Sequence, residues 1–235
     1  MRDIWRIGME RLILERAQPP WSVPLPSRHF ADRLHRFDWL SDMASQDRAG
    51  QERAAAFVDS WIQSFGAFNG FAWRAEPTAN RLWNWMRCSL TLFGEGCPHE
   101  RMECLVRQMR YLSEILDQTT NPRTRWIGSC LMVARAVCLD GAHRLDEALD
   151  RLDGECTAQI LPDGGHVSRS PARLLTSLLN LLALREVLQK AGHVVPDYFE
   201  KWISRMGAML AFFQTEDGAL NPFNDGDEGR PEVVA

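Results

Sequence analysis

The sequence predicts an all-α protein built from antiparallel helical hairpins. Apolar residues recur with helical spacing through most of the 235 residues, and no segment alternates apolar and polar residues as a half-buried strand would. Proline and glycine fall between the periodic segments, where they end one helix and begin the next. Because 45% of the residues are hydrophobic, the chain can bury a substantial core, and we expect residues 1–235 to form a single domain.

Nine helices joined by short links are expected. The first covers residues 2–18 and ends at Pro19-Pro20, so that residues 1–20 form an N-terminal helix and linker. The others are expected near residues 27–45, 51–66, 77–93, 98–116, 122–139, 143–159, 171–190 and 197–214. The helix from Pro171 is leucine-rich on nearly every side, which is typical of a buried inner helix. Residues 215–235 are expected to be a C-terminal tail, including the acidic run 225–228, which lacks the spacing of a calcium loop.

The helix starts fall into two alternating sets. Helices separated by one intervening helix run parallel in an up-and-down array, so their starts lie at the same end. The starts near residues 28, 77, 122 and 171 each bring at least one arginine. If the array curves into a ring of hairpins, these starts gather at one rim around a positively lined cleft.

Composition excludes several classes of protein. The formal net charge of -4 offers no global basic field for nucleic acid or an anionic membrane. The six cysteines contain no CxxC pair and fall in helical patterns, which favours reduced, buried thiols over metal ligands. The N-terminus lacks the uninterrupted apolar stretch of a secretory signal, and no segment approaches about 20 consecutive apolar residues. We therefore expect a cytoplasmic protein with no metal, no cofactor, no membrane and no nucleic acid as partner.

The run QILPDGGHVSRSP, residues 159–171, is the segment that packing explains least. Pro162 sets φ for a tight turn, Gly164 can adopt the left-handed conformation, and Gly165 lets backbone or ligand come close. A new helix follows directly, with Ser170 as its N-cap and Pro171 at its first position.

This turn presents His166 and Arg169 just before a helix N-terminus, where backbone N–H groups and the helix dipole favour an anion. An exposed His in such a loop can act as a base or neutralise a carboxylate, and an Arg can bind a carboxylate or sulfate with two hydrogen bonds. The structural alternatives are a His that hydrogen-bonds its own turn and an Arg that pairs with Asp163. The sequence predicts an anionic ligand.

Five further residues are candidates for binding it. Trp73 and Arg74 precede a helix as an aromatic and cationic pair suited to a sugar ring, although Trp is as often a packing anchor. Arg81 lies one turn into the next helix and is expected to face the cleft. Arg123 and Arg125 open another helix of the same set, where solvated side chains are the alternative.

Four segments together resemble the heparinase II/III-like proteins of bacteria: LHRFDWLSDMA (34–44), AWRAEPTANRLWNWM (72–86), QILPDGGHVSRSP (159–171) and MLAFFQTEDGALNPFNDGDE (209–228). They occur in the family's order and cover most of the chain. The resemblance implies an incomplete (α/α) toroid of the polysaccharide lyase type. It also implies a C-terminal β-sandwich domain, which is absent from this chain and would have to be supplied separately.

The resemblance further implies β-elimination at a uronic acid of an acidic polysaccharide. That reaction needs a neutralised carboxylate, a base for the C5 proton and an acid for the leaving oxygen. His166 would be the base or neutraliser, Arg169, Arg74 and Arg123 would hold the carboxylate, and Trp73 would stack on the sugar. The family's Tyr-His pair after RSP is replaced here by Arg173 and Leu174, and the family's Asn-His pair is not evident in TNPRTRWIG.

Three hypotheses follow. The first is a lyase-type domain that cleaves or binds a uronate-containing polysaccharide. The second, favoured by the missing Tyr, is a non-catalytic glycan-binding or assembly module, the detached helical half of a two-domain lyase. The third is a helical interaction scaffold whose rim arginines are only solvated helix caps.

Overall fold

The computed structural model describes residues 2–15, 18–140, 144–216, 218–221 and 224. Ten α-helices and one two-stranded sheet lie in these residues, which confirms the predicted all-α fold class. The chain divides into two compact units, Met1–Thr124 and Arg125–Ala235. That residues 1–235 form a single domain stays a prediction.

The predicted N-terminal helix is wrong, because residues 2–15 form an antiparallel hairpin of β1 (Arg2–Ile7) and β2 (Glu10–Glu15). Trp5 faces Leu12 across the two strands, and both are buried, whereas the neighbouring pair Ile4 and Ile13 is exposed. This alternation has the period of two that a strand requires. Ile4 and Ile13 are apolar residues on the otherwise charged outer face, and they interrupt the apolar-polar alternation in the sequence.

The remaining elements of the first unit are a 3-10 turn (Pro20–Ser22), α1 (Arg28–His35), α2 (Leu40–Ala44), α3 (Arg48–Phe65), α4 (Ala75–Arg87), α5 (Ser89–Phe93), α6 (His99–Ile115) and a second 3-10 turn (Leu116–Gln118). The single helix predicted over residues 27–45 is interrupted at Phe37, whose φ is 62°. Phe37 is fully buried among Trp39, Trp61 and Trp85, so aromatic packing holds this uncommon backbone conformation. The helix predicted over residues 77–93 is likewise divided, at Cys88.

The hairpin closes one side of the first unit's core. The apolar residues of its inner face pack against α1 and α3 in one buried cluster: Trp5, Leu12, Leu14, Phe30, Leu34 and Phe57. Arg53 on α3 forms an ion pair with Asp3 at the edge of the cluster. The N-terminal segment is therefore part of this unit's core.

Helix α7 (Pro122–Arg135) includes the boundary between the units and continues into a π-helical turn (Ala136–Asp140). The second unit then contains α8 (Leu145–Gln159), α9 (Pro171–Lys190) and α10 (Asp197–Phe213). The predicted start of α8 at residue 143 lies outside the described residues. Helix α9 buries side chains on several sides, including Leu174, Leu175 and Asn180, as expected of an inner helix, and α10 packs along it.

No helix in the described part of the chain is long and apolar enough to cross a membrane. The predicted C-terminal tail is described only at residues 215, 216, 218–221 and 224, where Gln214 and Leu220 pair as an isolated β-bridge. The acidic run 225–228 lies outside the described residues.

Candidate functional site

The run from Gln159 to Pro171 is a compact turn between α8 and α9. Ile160 and His166 pair as an isolated antiparallel bridge, and the N–H of Val167 donates to the carbonyl of Gln159 at 2.9 Å. Inside this bridge, the N–H of Leu161 donates to the carbonyl of Gly165 at 2.8 Å. The backbone hydrogen bonds of the turn are thus made internally, and its side chains are held in defined positions.

Gly164 is the glycine that this turn requires. Its φ is 87°, as the sequence predicts, and a Cβ at this position would lie 2.2 Å from the carbonyl oxygen of Arg205 on α10. The close backbone approach expected at Gly165 therefore occurs at Gly164. At Gly165 an added Cβ would meet side chains and no backbone atom: Asp163 Oδ1 at 3.1 Å and Arg169 Nη1 at 3.8 Å.

His166 is buried, with 6% of its surface exposed, which corrects the expectation of an exposed loop histidine. Its Nδ1 lies 2.8 Å from Ser168 Oγ, and the N–H of Ser168 donates to the same nitrogen at 3.0 Å. Because that backbone N–H can only donate, Nδ1 is the acceptor and carries no proton. The hydrogen bonds belong to the turn, as the structural alternative proposed.

Arg169 is exposed, as expected, and its Nη1 donates to Asp163 Oδ2 at 3.2 Å. The N–H of Gly165 is the main cause that lowers the pKa of the Asp163 carboxyl, and Arg169 adds to this effect. The backbone of Arg169 is left-handed, with φ 56°, and its carbonyl accepts from Asn224 Nδ2 at 3.0 Å. A left-handed arginine is uncommon, and nothing in the sequence predicts it.

Helix α9 begins as predicted. Ser170 is the N-cap, with its Oγ accepting from the N–H of Arg173 at 3.3 Å, and Pro171 occupies the first turn. The Ser170 hydroxyl therefore satisfies one of the free N–H groups to which an anion would bind.

Arg125 at the start of α7 is bound by a buried carboxylate that the sequence analysis missed. Its Nε and Nη2 both donate to Glu155 Oε1, at 2.8 and 2.5 Å, and Gln159 Nε2 donates to Glu155 Oε2 at 2.8 Å. Glu155 follows Leu152 by three positions on the buried face of α8, and this spacing is a signal from which it could have been identified. Arg125 is thereby connected to the end of α8, where the turn begins.

Arg123 is exposed in the first turn of α7. The side chain of Asn121 accepts from its backbone N–H at 3.0 Å, so the helix start is capped from within the chain. The role of Arg123 in binding a ligand stays a prediction.

Arg74, at the N-cap position of α4, is held by its own unit. Its guanidinium forms an ion pair with Asp32, and its Nε donates to the carbonyl of Phe71 at 3.0 Å. Its Cζ also lies 4.5 Å from the centroid of the Phe71 ring. Burial is the main cause that lowers the Arg74 pKa, with Arg28 second.

Trp73 is buried, which corrects its predicted role as an exposed stacking surface. Its Nε1 donates to the carbonyl of Phe65 at 2.7 Å. The ring forms the floor of a surface groove of about 710 Å³, beneath Phe68 and Tyr111. The sequence analysis missed this groove, although the exposed Phe68 between Gly66 and Gly70 was a signal for it.

Arg81 is fully buried, so the expectation that it faces a cleft and binds substrate is wrong. Its guanidinium donates to the carbonyls of His35 and Ala72, both at 3.0 Å, to Gln108 Oε1 at 2.6 Å and to Thr78 Oγ1 at 3.2 Å. Burial lowers its pKa to about 9. Arg81 lies inside the first unit, where its hydrogen bonds connect α4 with α1 and α6.

Each of the two tyrosines has contacts within its own unit. Tyr198 Oη donates to the carbonyl of Leu149 at 3.1 Å, and burial with neighbouring acidic side chains raises its pKa. Tyr111 belongs to the first unit, where burial raises its pKa. No cluster of three or more His, Cys, Asp or Glu side chains suited to a metal ion occurs among the residues that the structure describes.

The candidates divide between the two units. Trp73, Arg74, Arg81 and Arg123 belong to Met1–Thr124, and Arg125, His166 and Arg169 to Arg125–Ala235. Within the first unit Trp73 lines the groove and Arg81 is interior. Within the second, Arg125 and the turn are connected through Glu155 and Gln159. The predicted gathering of all the arginines at one rim stays a prediction.

No family model matches the chain. A curated relative, FtsZ-localized protein C of Caulobacter vibrioides, is 32% identical over 219 residues, which cover 92% of this chain and 38% of the relative. The chain thus spans about two fifths of that protein's length.

Solved structures give the fold. A crystal structure of heparinase III matches with a TM-score of 0.69 and 14% identity over 91% of this chain and 37% of its own length. Heparan sulfate lyase HepC from Pedobacter heparinus matches with a TM-score of 0.58 and 15% identity, over 85% of this chain and 34% of its own length. The chain therefore has the fold of the helical toroid domains of heparinase III, as the four sequence segments indicated.

Proposed function

We propose that this chain is a non-catalytic helical module, of heparinase-like fold, that works in assembly at sites where FtsZ localises. The observation that carries the proposal is the likeness to FtsZ-localized protein C, which extends over 92% of this chain. A likeness of that extent includes residues of both compact units.

The contacts of the candidate residues favour binding over catalysis. The Nδ1 of His166 accepts from its own turn, Arg81 lies inside a core, and the Arg74 and Arg125 guanidinium groups are paired with Asp32 and Glu155. A lyase needs a base and an acid that reach the same sugar. The turn has no tyrosine, and the Tyr198 hydroxyl donates a hydrogen bond to the backbone carbonyl of Leu149.

Sedimentation of FtsZ filaments with the purified chain tests the proposal. We expect the chain to pellet with filaments assembled with GTP and to remain in the supernatant with unassembled FtsZ. A chain that stays in the supernatant in both cases, and whose fluorescent fusion is uniformly distributed in cells, would refute the proposal.

A second candidate is the lyase-type domain, acting on or binding a uronate-containing acidic polysaccharide. The fold likeness to heparan sulfate lyase HepC favours it. In this case His166, whose second ring nitrogen carries the ring proton while Nδ1 accepts, would neutralise the uronate carboxylate by donating to it. Arg169 and Arg123 would bind the same carboxylate, and a separate β-sandwich domain would complete the cleft.

Ultraviolet absorbance decides between the two candidates, because β-elimination creates an unsaturated uronate that absorbs. With heparan sulfate, alginate and capsular polysaccharides as substrates, we expect no rise in absorbance. A rise that is lost in His166→Ala would establish the lyase. Binding without absorbance that is lost in Arg169→Ala would retain the acidic glycan as a ligand of a non-catalytic module.

A further inference from the structure

The groove above Trp73 is a surface feature that the proposed function does not use. It lies between the α3–α4 loop and the outer face of α6, and its volume is about 710 Å³. All of its lining residues belong to the first unit. It is therefore formed without any contribution from the turn that contains His166.

Three aromatic rings form the centre of the groove. The Phe68 and Tyr111 ring centroids are 5.7 Å apart, and each ring is inclined by 60° or more to Trp73 beneath them. Phe68 remains 68% exposed although it has two aromatic neighbours. Aromatic faces that stay open to water offer an apolar surface to the C–H face of a ring-shaped ligand.

The loop that presents Phe68 is held at both ends. Arg107 Nη1 donates to the carbonyl of Gly66 at 3.0 Å, and Trp73 Nε1 donates to the carbonyl of Phe65 at 2.7 Å. Between these points, Asn69 Oδ1 accepts from the N–H groups of Phe71 and Ala72 at 3.0 and 2.9 Å. A ligand would meet a preformed surface, which reduces the entropy lost on binding.

The polar groups around the rings are balanced in charge. Arg107 and Arg110 supply donors, and Glu103 and Glu114 supply acceptors, along one face of α6. His99 also lines the groove, with its Nδ1 3.4 Å from Glu103 Oε1. Within the described residues, the side chains of Arg110 and Glu114 make no hydrogen bond or ion pair. Two positive and two negative groups hold a ligand rich in hydroxyl groups, which both donate and accept, better than they hold a polyanion.

We propose that this groove binds an uncharged glycan, with a pyranose ring stacked on Phe68 and Tyr111 and its hydroxyl or acetamido groups bonded to Arg110 and Glu114. The inference does not depend on the proposed association with FtsZ, because it concerns only residues 66–114 of the first unit. The proposed ligand differs in charge from the acidic polysaccharide of the second candidate, and different residues would bind it.

Titration of the whole chain with chitotetraose and cellotetraose, followed by NMR or calorimetry, tests this site. We expect at least one of these neutral tetrasaccharides to bind, with an affinity that changes little between low and high salt. A heparan sulfate tetrasaccharide should bind more weakly at this groove.

Phe68→Ala should weaken binding of the neutral glycan roughly tenfold, the loss of about 1.4 kcal/mol expected for one stacked ring. The matched control is Phe212→Ala, which removes a ring that is 78% exposed on α10 in the second unit and should leave the affinity unchanged. Both substitutions remove an exposed side chain, so neither is expected to unfold the protein.

Three results would overturn the inference. The first is that neither neutral tetrasaccharide binds. The second is that the neutral glycan binds equally strongly to Phe68→Ala and Phe212→Ala. The third is that the acidic tetrasaccharide binds more tightly than the neutral ones and that Phe68→Ala abolishes its binding. A partner peptide that occupies the groove instead would give the first result, together with co-purification that Phe68→Ala abolishes. The filament-sedimentation result is independent of all three.

Discussion

Arg81 lies over the ring of Trp61, with its Cζ 4.2 Å from the ring centroid, in the interior of the first unit. His35 contacts both residues: its Nδ1 accepts from Trp61 Nε1 at 2.9 Å, and its backbone carbonyl accepts from Arg81. A buried guanidinium is stabilised here by neutral acceptors and an aromatic face. These contacts join α1, α3, α4 and α6.

Arg81→Ala should lower the free energy of unfolding by about 3–5 kcal/mol, because it leaves two buried carbonyls and Gln108 without their donor and creates a cavity. Urea denaturation measures this change. Arg48→Ala is the control, since Arg48 forms an exposed pair with Glu52 on α3 and its loss should cost about 0.5 kcal/mol or less. A cost for Arg81→Ala no greater than the control's would show that the interior network contributes little.

The stability of the first unit should fall in acid as His35 becomes protonated. Burial, and then Arg81, lower the pKa of His35 from 6.5 to about 4. The unfolded chain therefore binds a proton that the folded chain does not between these two values, so stability is lost as the pH falls from 6.5 towards 4. The loss should reach about 3 kcal/mol.

His35→Gln separates this effect from the carboxylates that also titrate in acid. Glutamine can still accept from Trp61 but carries no titratable group. Urea denaturation at neutral and acid pH should show a smaller acid loss in the variant than in the wild type. Equal losses in the two proteins would mean that His35 does not cause the pH dependence.

Gly164→Ala should destabilise the turn between α8 and α9 by about 2–4 kcal/mol, because the new Cβ meets the Arg205 carbonyl and φ is positive. Gly192→Ala is a matched control: its φ is 77°, but nothing lies within 4 Å of an added Cβ. The control should lower the free energy of unfolding by only about 1 kcal/mol, the cost of placing alanine at a positive φ. Equal costs, by thermal or urea denaturation, would show that α10 moves away from the turn without penalty.

Two arginines that were both predicted to bind substrate should differ in their effect on stability. Arg125→Ala leaves the buried Glu155 carboxylate without its cation and should cost about 1–3 kcal/mol. Arg169→Ala removes an exposed pair with Asp163 and should cost about 0.5 kcal/mol or less.

Adding Glu155→Gln to Arg125→Ala should recover part of the loss, since the unpaired charge is then removed. Unfolding by urea of the two single variants and the double variant measures this coupling. Additive effects would contradict a direct interaction between Arg125 and Glu155.

The helical fold was predictable because its signals are local. Ser170 and Pro171 mark the start of α9, Gly164 adopts the left-handed turn, and the leucines of α9 are spaced for burial on several sides. The four segments that resemble heparinase II/III-like proteins indicated the fold that the solved structures then gave. Each cap, turn and helical pattern, and each of the four segments by itself, depends on residues close together in the sequence.

Tertiary contacts decided that the N-terminal segment forms a hairpin, and they decided which charged side chains are buried or paired. Ile4 and Ile13 on the outer face obscure the alternation of residues 2–15, and packing of the inner face against α1 and α3 selects the strand period. Whether an arginine is available to a ligand depends on its distant neighbours: Arg81 donates to Gln108, Arg74 pairs with Asp32 and Arg125 pairs with Glu155. The sequence by itself therefore determined where helices begin and which residues can carry charge, and tertiary contacts alone decided which of those charges remain available to a ligand.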